Sequence, residues 1–370
     1  MTLSEKICQD INRKFYFDDF VLTNLYYVKD GIKMEICDGL IEFEDRYIII
    51  QIKERNSQEN TNNQKWLDRK VYKKATSQIK DTIDIINQID NLIVQDLYGQ
   101  QVEIDKTKSI LPIIVFKNEE ILDYQRVYYS STKNININIF SEKDYETMME
   151  KIEVPCEIID YLLLRQDLFQ HSNFNMILDD SETGYFMMAN IENELDLADY
   201  FLMKAIKDKS FSELDIKNFL GIIQKYNLKR LDQNQDYKQI LYRMLRFDRF
   251  GATYFMQRWN NCWDLSKKGI INCQQHIVGQ NKHEKFGFLF ISTKKGDIKD
   301  NNDFYAHLTR LFIQKYKLET AITIICYYEG EHNYLVNWLF MSKPFENDEE
   351  LQRSLNENDL WRHIKIVNND

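Results

Sequence analysis

Proline and glycine are scarce in this chain. Three prolines (Pro112, Pro155 and Pro344) and 11 glycines in 370 residues leave little room for long flexible linkers, so the chain should fold nearly throughout. No apolar run approaches the roughly 18 residues that a membrane span needs, so a membrane-inserted helix is not expected. The six cysteines (Cys8, Cys37, Cys156, Cys262, Cys273 and Cys326) show no paired spacing, and Met1-Thr2-Leu3-Ser4-Glu5-Lys6 lacks the apolar core of a secretory signal. The expected setting is the reducing cytoplasm. There is no glycine-rich phosphate loop and no Gly-x-Ser-x-Gly elbow, so NTP hydrolysis and serine-hydrolase chemistry have no support. Positive charge is also in deficit: a net charge of −10 argues against coating nucleic acid by bulk attraction and leaves only local basic patches.

Two such patches exist. Lys53 to Lys80 holds eight basic residues against three acids, and Lys238 to Lys268 holds seven against two. Hydrophobic residues at 44% and charged residues at 29% are ordinary for a soluble globular protein, and the length suggests two domains. Apolar spacing predicts a helix from Leu3 to Lys14, a strand from Phe20 to Val28, a long amphipathic helix from Lys65 to Leu92, a buried strand from Ile110 to Phe116 and a strand through Ile135, Ile137 and Ile139. Ser141 then caps a helix running towards Ile152. Composition shifts at Val154-Pro155, which divides an α/β region, 1–153, from 154–370, expected to be helical from about Ile191 to Met256 and then α+β.

Between these elements lies Met34 to Lys53, which reads as a β-hairpin: Ile36 to Phe43 and Tyr47 to Ile52 flank Glu44-Asp45-Arg46. With a two-residue loop at Glu44 and Asp45, Phe43 pairs with Arg46 and Asp38 stands opposite Gln51. Lys53 then shares their face, while Ile48, Ile50 and Ile52 point the other way. A three-residue loop would send Asp38 to the opposite face.

An acid on one strand and an acid-or-amide-x-Lys on the next resembles the core of the restriction-endonuclease-like nucleases, the PD-(D/E)xK superfamily. The matching residues are Asp38 and Gln51-Ile52-Lys53, with Glu5 on a preceding helix and a basic helix following. The Gln-x-Lys form is similar to that of the Mrr-like members. The resemblance implies a mixed sheet flanked by helices over residues 1–150 and a Mg²⁺- or Mn²⁺-dependent hydrolysis of DNA phosphodiesters, RNA remaining open. Asp38, Gln51 and Glu5 would hold the metal, with Glu35 or Glu54 supplying charge that Gln51 lacks. Lys53 would act on the attacking water and the phosphate. Lys73, Lys74 and Gln78, on the face of the next helix, would touch backbone phosphates or the active site. It further implies a role in defence against phage or foreign DNA, alone, as a homo-oligomer or with a partner defence protein. A second reading keeps the fold without catalysis, as a nucleic-acid- or protein-binding scaffold, because Gln51 stands where an acid is commoner.

Tyr242, Arg243, Arg246, Phe247, Arg249, Phe250, Tyr254, Phe255, Arg258, Trp259 and Trp263 interleave basic and aromatic residues. The aromatics read as a buried helical stripe. Arg243, Arg246 and Arg249, near one another at helix spacing, are candidates for a nucleic-acid surface. Cys262, Cys273, His276 and His283 lack a tight Cys-x-x-Cys knuckle and make a poor zinc site.

Overall fold

A computed structural model of the chain describes residues 1–55, 62–170, 177–180, 185–188, 193–205, 211–225, 236–280, 284–293, 302–330 and 333–357. The chain divides into two compact units, Met1–Lys209 and Ser210–Asp370.

In the first unit, α1 (Leu3–Tyr16) opens on a capping box, in which Thr2 accepts from the Glu5 amide and Glu5 accepts from the Thr2 amide. Three antiparallel strands follow: β1 (Val21–Lys29), β2 (Ile32–Glu42) and β3 (Arg46–Glu54). The long helix expected over 65–92 is built as α2 (Asn63–Trp66), a π-helical stretch (Leu67–Ala75) and α3 (Thr76–Gln88). Leu67, Val71, Ala75, Ile79 and Ile83 recur every fourth residue and are all buried. In a pure α-helix that stripe would rotate by about 40° per step. The wider i→i+5 turn takes up the drift and keeps the stripe on the sheet.

The short strands β4 (Ile93–Gln95), β5 (Gln101–Glu103) and β7 (Val127–Ser130) carry no sequence pattern of their own; β6 (Ser109–Lys117) and β8 (Ile135–Ser141) are the strands read from isoleucine. Pro112 sits one residue before β6 begins to pair with β8 at Ile113, so its missing N–H breaks no ladder bond on that side. The eight strands form one mixed sheet in the order β5-β4-β1-β2-β3-β6-β8-β7, with β3, β6 and β8 parallel. Helices α4 (Glu142–Ile152), α5 (Pro155–Gln170) and α6 (Glu194–Ala205) join α1 over Ile48, Ile50, Ile52, Ile113 and Val115. The α2–α3 helix covers Tyr47, Ile49, Ile114, Ile137 and Ile139 on the other face. A strand pair, β9 (Ile177–Asp180) and β10 (Tyr185–Met188), stands apart from this sheet.

The unit continues past Val154-Pro155, where composition suggested the boundary, because α5 and α6 close onto the sheet through a buried ion pair. Arg165 Nε donates to Glu194 Oε1 at 2.9 Å, its Nη2 to the Ile139 carbonyl at 2.7 Å and its Nη1 to the Arg126 carbonyl at 2.6 Å. Arg126 meets Glu194 at 2.6 Å. Both side chains of the Arg165–Glu194 pair are fully buried.

In the second unit, α7 (Glu213–Lys225), α8 (Asp236–Leu245) and α9 (Arg249–Lys267) precede a four-stranded sheet of order β11-β12-β13-β14. Its strands are β11 (Asn272–Gln280), β12 (Lys285–Thr293), β13 (Thr320–Gly330) and β14 (Asn333–Ser342), with β12 and β13 parallel across α10 (Asn302–Tyr316). Phe288 and Phe290 meet Phe255 of α9, while Leu289 and Ile291 pack on Leu308, Leu311 and Phe312 of α10. The last described helix is α11 (Glu349–Glu357).

Removing one partner of a buried ion pair strands the other charge, at a cost of about 3–5 kcal/mol. Arg165→Ala should lower the urea-unfolding free energy by that amount, and a loss below about 1 kcal/mol would show that the pair does not hold α5 and α6 to the sheet.

Candidate active site

The hairpin turns through two residues: the Phe43 amide donates to the Arg46 carbonyl at 2.8 Å, leaving Glu44 and Asp45 as the loop. The register follows as Glu42↔Tyr47, Ile41↔Ile48, Leu40↔Ile49 and Gly39↔Ile50, which brings Asp38 level with Gln51. There the pairing stops. On the β1 side it passes from Thr23↔Gly39 to Leu25↔Cys37, skipping Asn24 and Asp38, and Asn24 takes a left-handed φ of 48°. The next pair, Tyr26↔Glu35, leaves Ile36 as the extra residue of a β-bulge.

Hydrogen-bonded pairs alternate along an antiparallel ladder, so in an unbroken one the Ile52 amide would donate to the Cys37 carbonyl. It donates instead to Asp38 Oδ2, at 2.6 Å. Lys53 Nζ lies 3.8 Å from the same oxygen, 3.4 Å from Gln51 Oε1 and 2.8 Å from the Ile52 carbonyl. Gln51 Nε2 donates to the Ile36 carbonyl at 3.4 Å. A carboxylate, an amide and a peptide carbonyl thus converge on one cation. Asp38 and Gln51 are buried and the Lys53 side chain is 14% exposed.

Burial pushes the Asp38 carboxyl up to about 6, against the pull of Lys53 and the Ile52 amide, and Glu5 and Glu35 push the same way. Burial also lowers Lys53, against the pull of Asp38, and Lys74 adds to the lowering. Glu5, Glu35 and Lys74 therefore act on the pair through the field. Contact is another matter. Glu5 is committed to its helix cap, Glu35 is exposed, and Glu54 accepts from the Ser4 amide at 3.2 Å. Among the described residues no group of three or more acids, histidines or cysteines could hold a metal ion.

Lys73 and Lys74 lie exposed at the end of the π-helical stretch, and Gln78 is half-buried on α3 with a buried Oε1 that meets no donor. The arginines of the second unit are placed differently from their reading as a nucleic-acid surface. Arg243 is buried and donates to both Glu284 oxygens at 2.9 Å, Arg246 meets Glu284 at 3.5 Å, and the buried Arg249 lies over the Phe211 ring. Glu284 compensates two of these charges inside the unit, so the cluster offers no open phosphate grip. The aromatics between them, Phe247, Phe250, Phe255, Trp259 and Trp263, are core. Of the zinc candidates, Cys262 is buried against Cys326 and His276 stacks on Tyr316; the side chains of Cys273 and His283 lie outside the described residues.

One member of the site escapes a reading of motifs. Thr82, buried on α3, directs its hydroxyl at the Ile36 carbonyl. Its signal is a hydroxyl within the apolar stripe Ile79, Ile83, Ile86, a position that demands a partner in the core. No family model matches the chain, and no curated protein matches it.

Because folding raises the Asp38 pKa, the native state holds that proton more tightly than the unfolded chain, and stability is lost as pH rises from about 4 through about 6. Asp38→Asn keeps an acceptor for Ile52 and removes the charge. By guanidinium unfolding its stability relative to wild type should rise by on the order of 2–3 kcal/mol between pH 4 and pH 7.5, on top of a constant cost for leaving Lys53 without its partner. A pH-independent difference would refute the raised carboxyl.

Proposed function

We propose that the first unit is a restriction-endonuclease-like, metal-dependent nuclease of the PD-(D/E)xK kind that hydrolyses phosphodiester bonds of DNA. The observation that carries this reading is the convergence of Asp38 Oδ2, Gln51 Oε1 and the Ile52 carbonyl on one cationic point beside an exposed basic helix. All three are hard oxygen donors, the chemistry that Mg²⁺ and Mn²⁺ select, and the Lys53 ammonium stands in for the cation among them. The donor set therefore fits a divalent ion, held by Asp38, Gln51 and the Ile52 carbonyl. When bound, the ion supplies positive charge to the oxygens of the phosphodiester.

The chain's own groups do the rest. Lys53, on a strand buried on both faces, has little freedom except at its tip, and its ammonium can hydrogen-bond a phosphate oxygen and orient the attacking water. Lys73 and Lys74 lie where backbone phosphates can be gripped without reading sequence. A role against phage or foreign DNA goes with this reading by analogy alone. One observation favours a non-cutting nucleic-acid- or protein-binding scaffold instead: Gln51 brings no charge where an acid would, and among the described residues no group of three or more ligating side chains assembles.

Purified protein should nick or cut plasmid with Mg²⁺ or Mn²⁺ and stop on chelation. Asp38→Ala and Lys53→Ala should each lower the rate by about 10²–10³. Cutting that survives both substitutions would refute the site, and a wild type inert on every nucleic acid would leave the scaffold. Lys53→Met removes the resident ammonium and should bind Mn²⁺ more tightly than wild type by titration calorimetry, although its cutting falls as in Lys53→Ala; weaker binding would mean that the three oxygens are not the ion's seat.

A further inference from the structure

The bulged residue Ile36 turns its carbonyl out of the β-ladder and into the protein. A buried carbonyl outside a ladder needs donors, and this one has two. Gln51 Nε2 reaches it from β3 at 3.4 Å, and the Thr82 hydroxyl reaches it from α3. Both side chains are 1% exposed. The Thr82 hydroxyl also lies 2.9 Å from the Gln78 carbonyl of its own helix, the usual alternative for a mid-helix threonine.

This arrangement gives a reason for glutamine at position 51. The side chain there must donate to the Ile36 carbonyl and at the same time present an oxygen to Lys53, 3.4 Å away. An amide does both. An ionised carboxylate has acceptors only and would face the Ile36 carbonyl with like charge. Asp38 follows two residues after Ile36, so whatever fixes the bulge also fixes where the carboxylate meets the Ile52 amide.

We propose that Thr82 is a positioning residue: together with the Gln51 amide it clamps the Ile36 carbonyl, and the clamp sets the Asp38 carboxylate against Ile52 and Lys53. Gln51 is then a selected part of the site and not an eroded acid. The clamp rests on the nuclease reading only for its effect on cutting.

Hydrogen–deuterium exchange on the full chain separates the two. In Thr82→Val and in Gln51→Glu, the Ile52 amide should exchange roughly fivefold to tenfold faster, the worth of one hydrogen bond, while the amides of Ile48 and Ile50 keep their rates. Thr82→Ser should restore wild-type exchange at Ile52. An unchanged Ile52 rate in Thr82→Val, or equal acceleration along all of β3, would overturn the clamp. Plasmid cutting by the same samples should fall and recover with Ile52 protection. A wild type that cuts nothing counts against the nuclease, and the exchange rates still decide the clamp.

Discussion

Beyond Gly39 the central hairpin loses its backbone pairing, and the Asp38 carboxylate takes the place of the carbonyl that the Ile52 amide would otherwise meet. That substitution orders much else. It keeps a buried N–H satisfied, which a sheet interior requires, and it pins a carboxylate at the point where β2 and β3 part. The cost is a charge in a poorly solvated place, visible in the raised Asp38 pKa. Lys53 reduces that cost and is itself lowered by the same burial. Both shifts run towards neutrality, the direction that acid–base chemistry at a buried site requires.

The location of this pair follows from the sheet. Strand β3 is covered by α1 on the side of Ile48, Ile50 and Ile52, where α4, α5 and α6 complete the same core, and by the α2–α3 helix on the side of Tyr47 and Ile49. Polar side chains stand at the two ends of this strand, Arg46 at its start and Gln51, Lys53 and Glu54 towards its C-terminal end. The π-helical stretch serves the same geometry. By keeping Leu67, Val71 and Ala75 against the sheet, it leaves Lys73 and Lys74 exposed beside the strand end, close enough for Lys74 to act on Lys53.

The arginines show how burial changes the meaning of a basic residue. Arg165 bridges two backbone carbonyls and Glu194, so its charge fastens helices to a sheet. Arg243 does the same inside the second unit with Glu284. A guanidinium suits these places because its planar fork satisfies several acceptors at once. Neither residue differs in sequence from one that would grip a phosphate. The acid that compensates it is far along the chain, 29 residues away for Arg165 and 41 for Arg243.

Local chemistry in the sequence determined the elements of the first unit and the register of its hairpin. Thr2 and Ser141 announce helix starts, alternating isoleucines announce strands, and a two-residue polar turn fixes Phe43 against Arg46, so Asp38 and Gln51 come level. These features need only neighbours a few residues apart. The tertiary structure alone decided that the ladder opens at Asp38, that Ile36 bulges, that Thr82 and Gln51 meet its carbonyl, and that α5 and α6 belong with the first sheet. Each of these depends on groups brought together from 14 to 46 residues apart, as with Ile52 and Asp38 or Thr82 and Ile36, and no local periodicity encodes such a meeting.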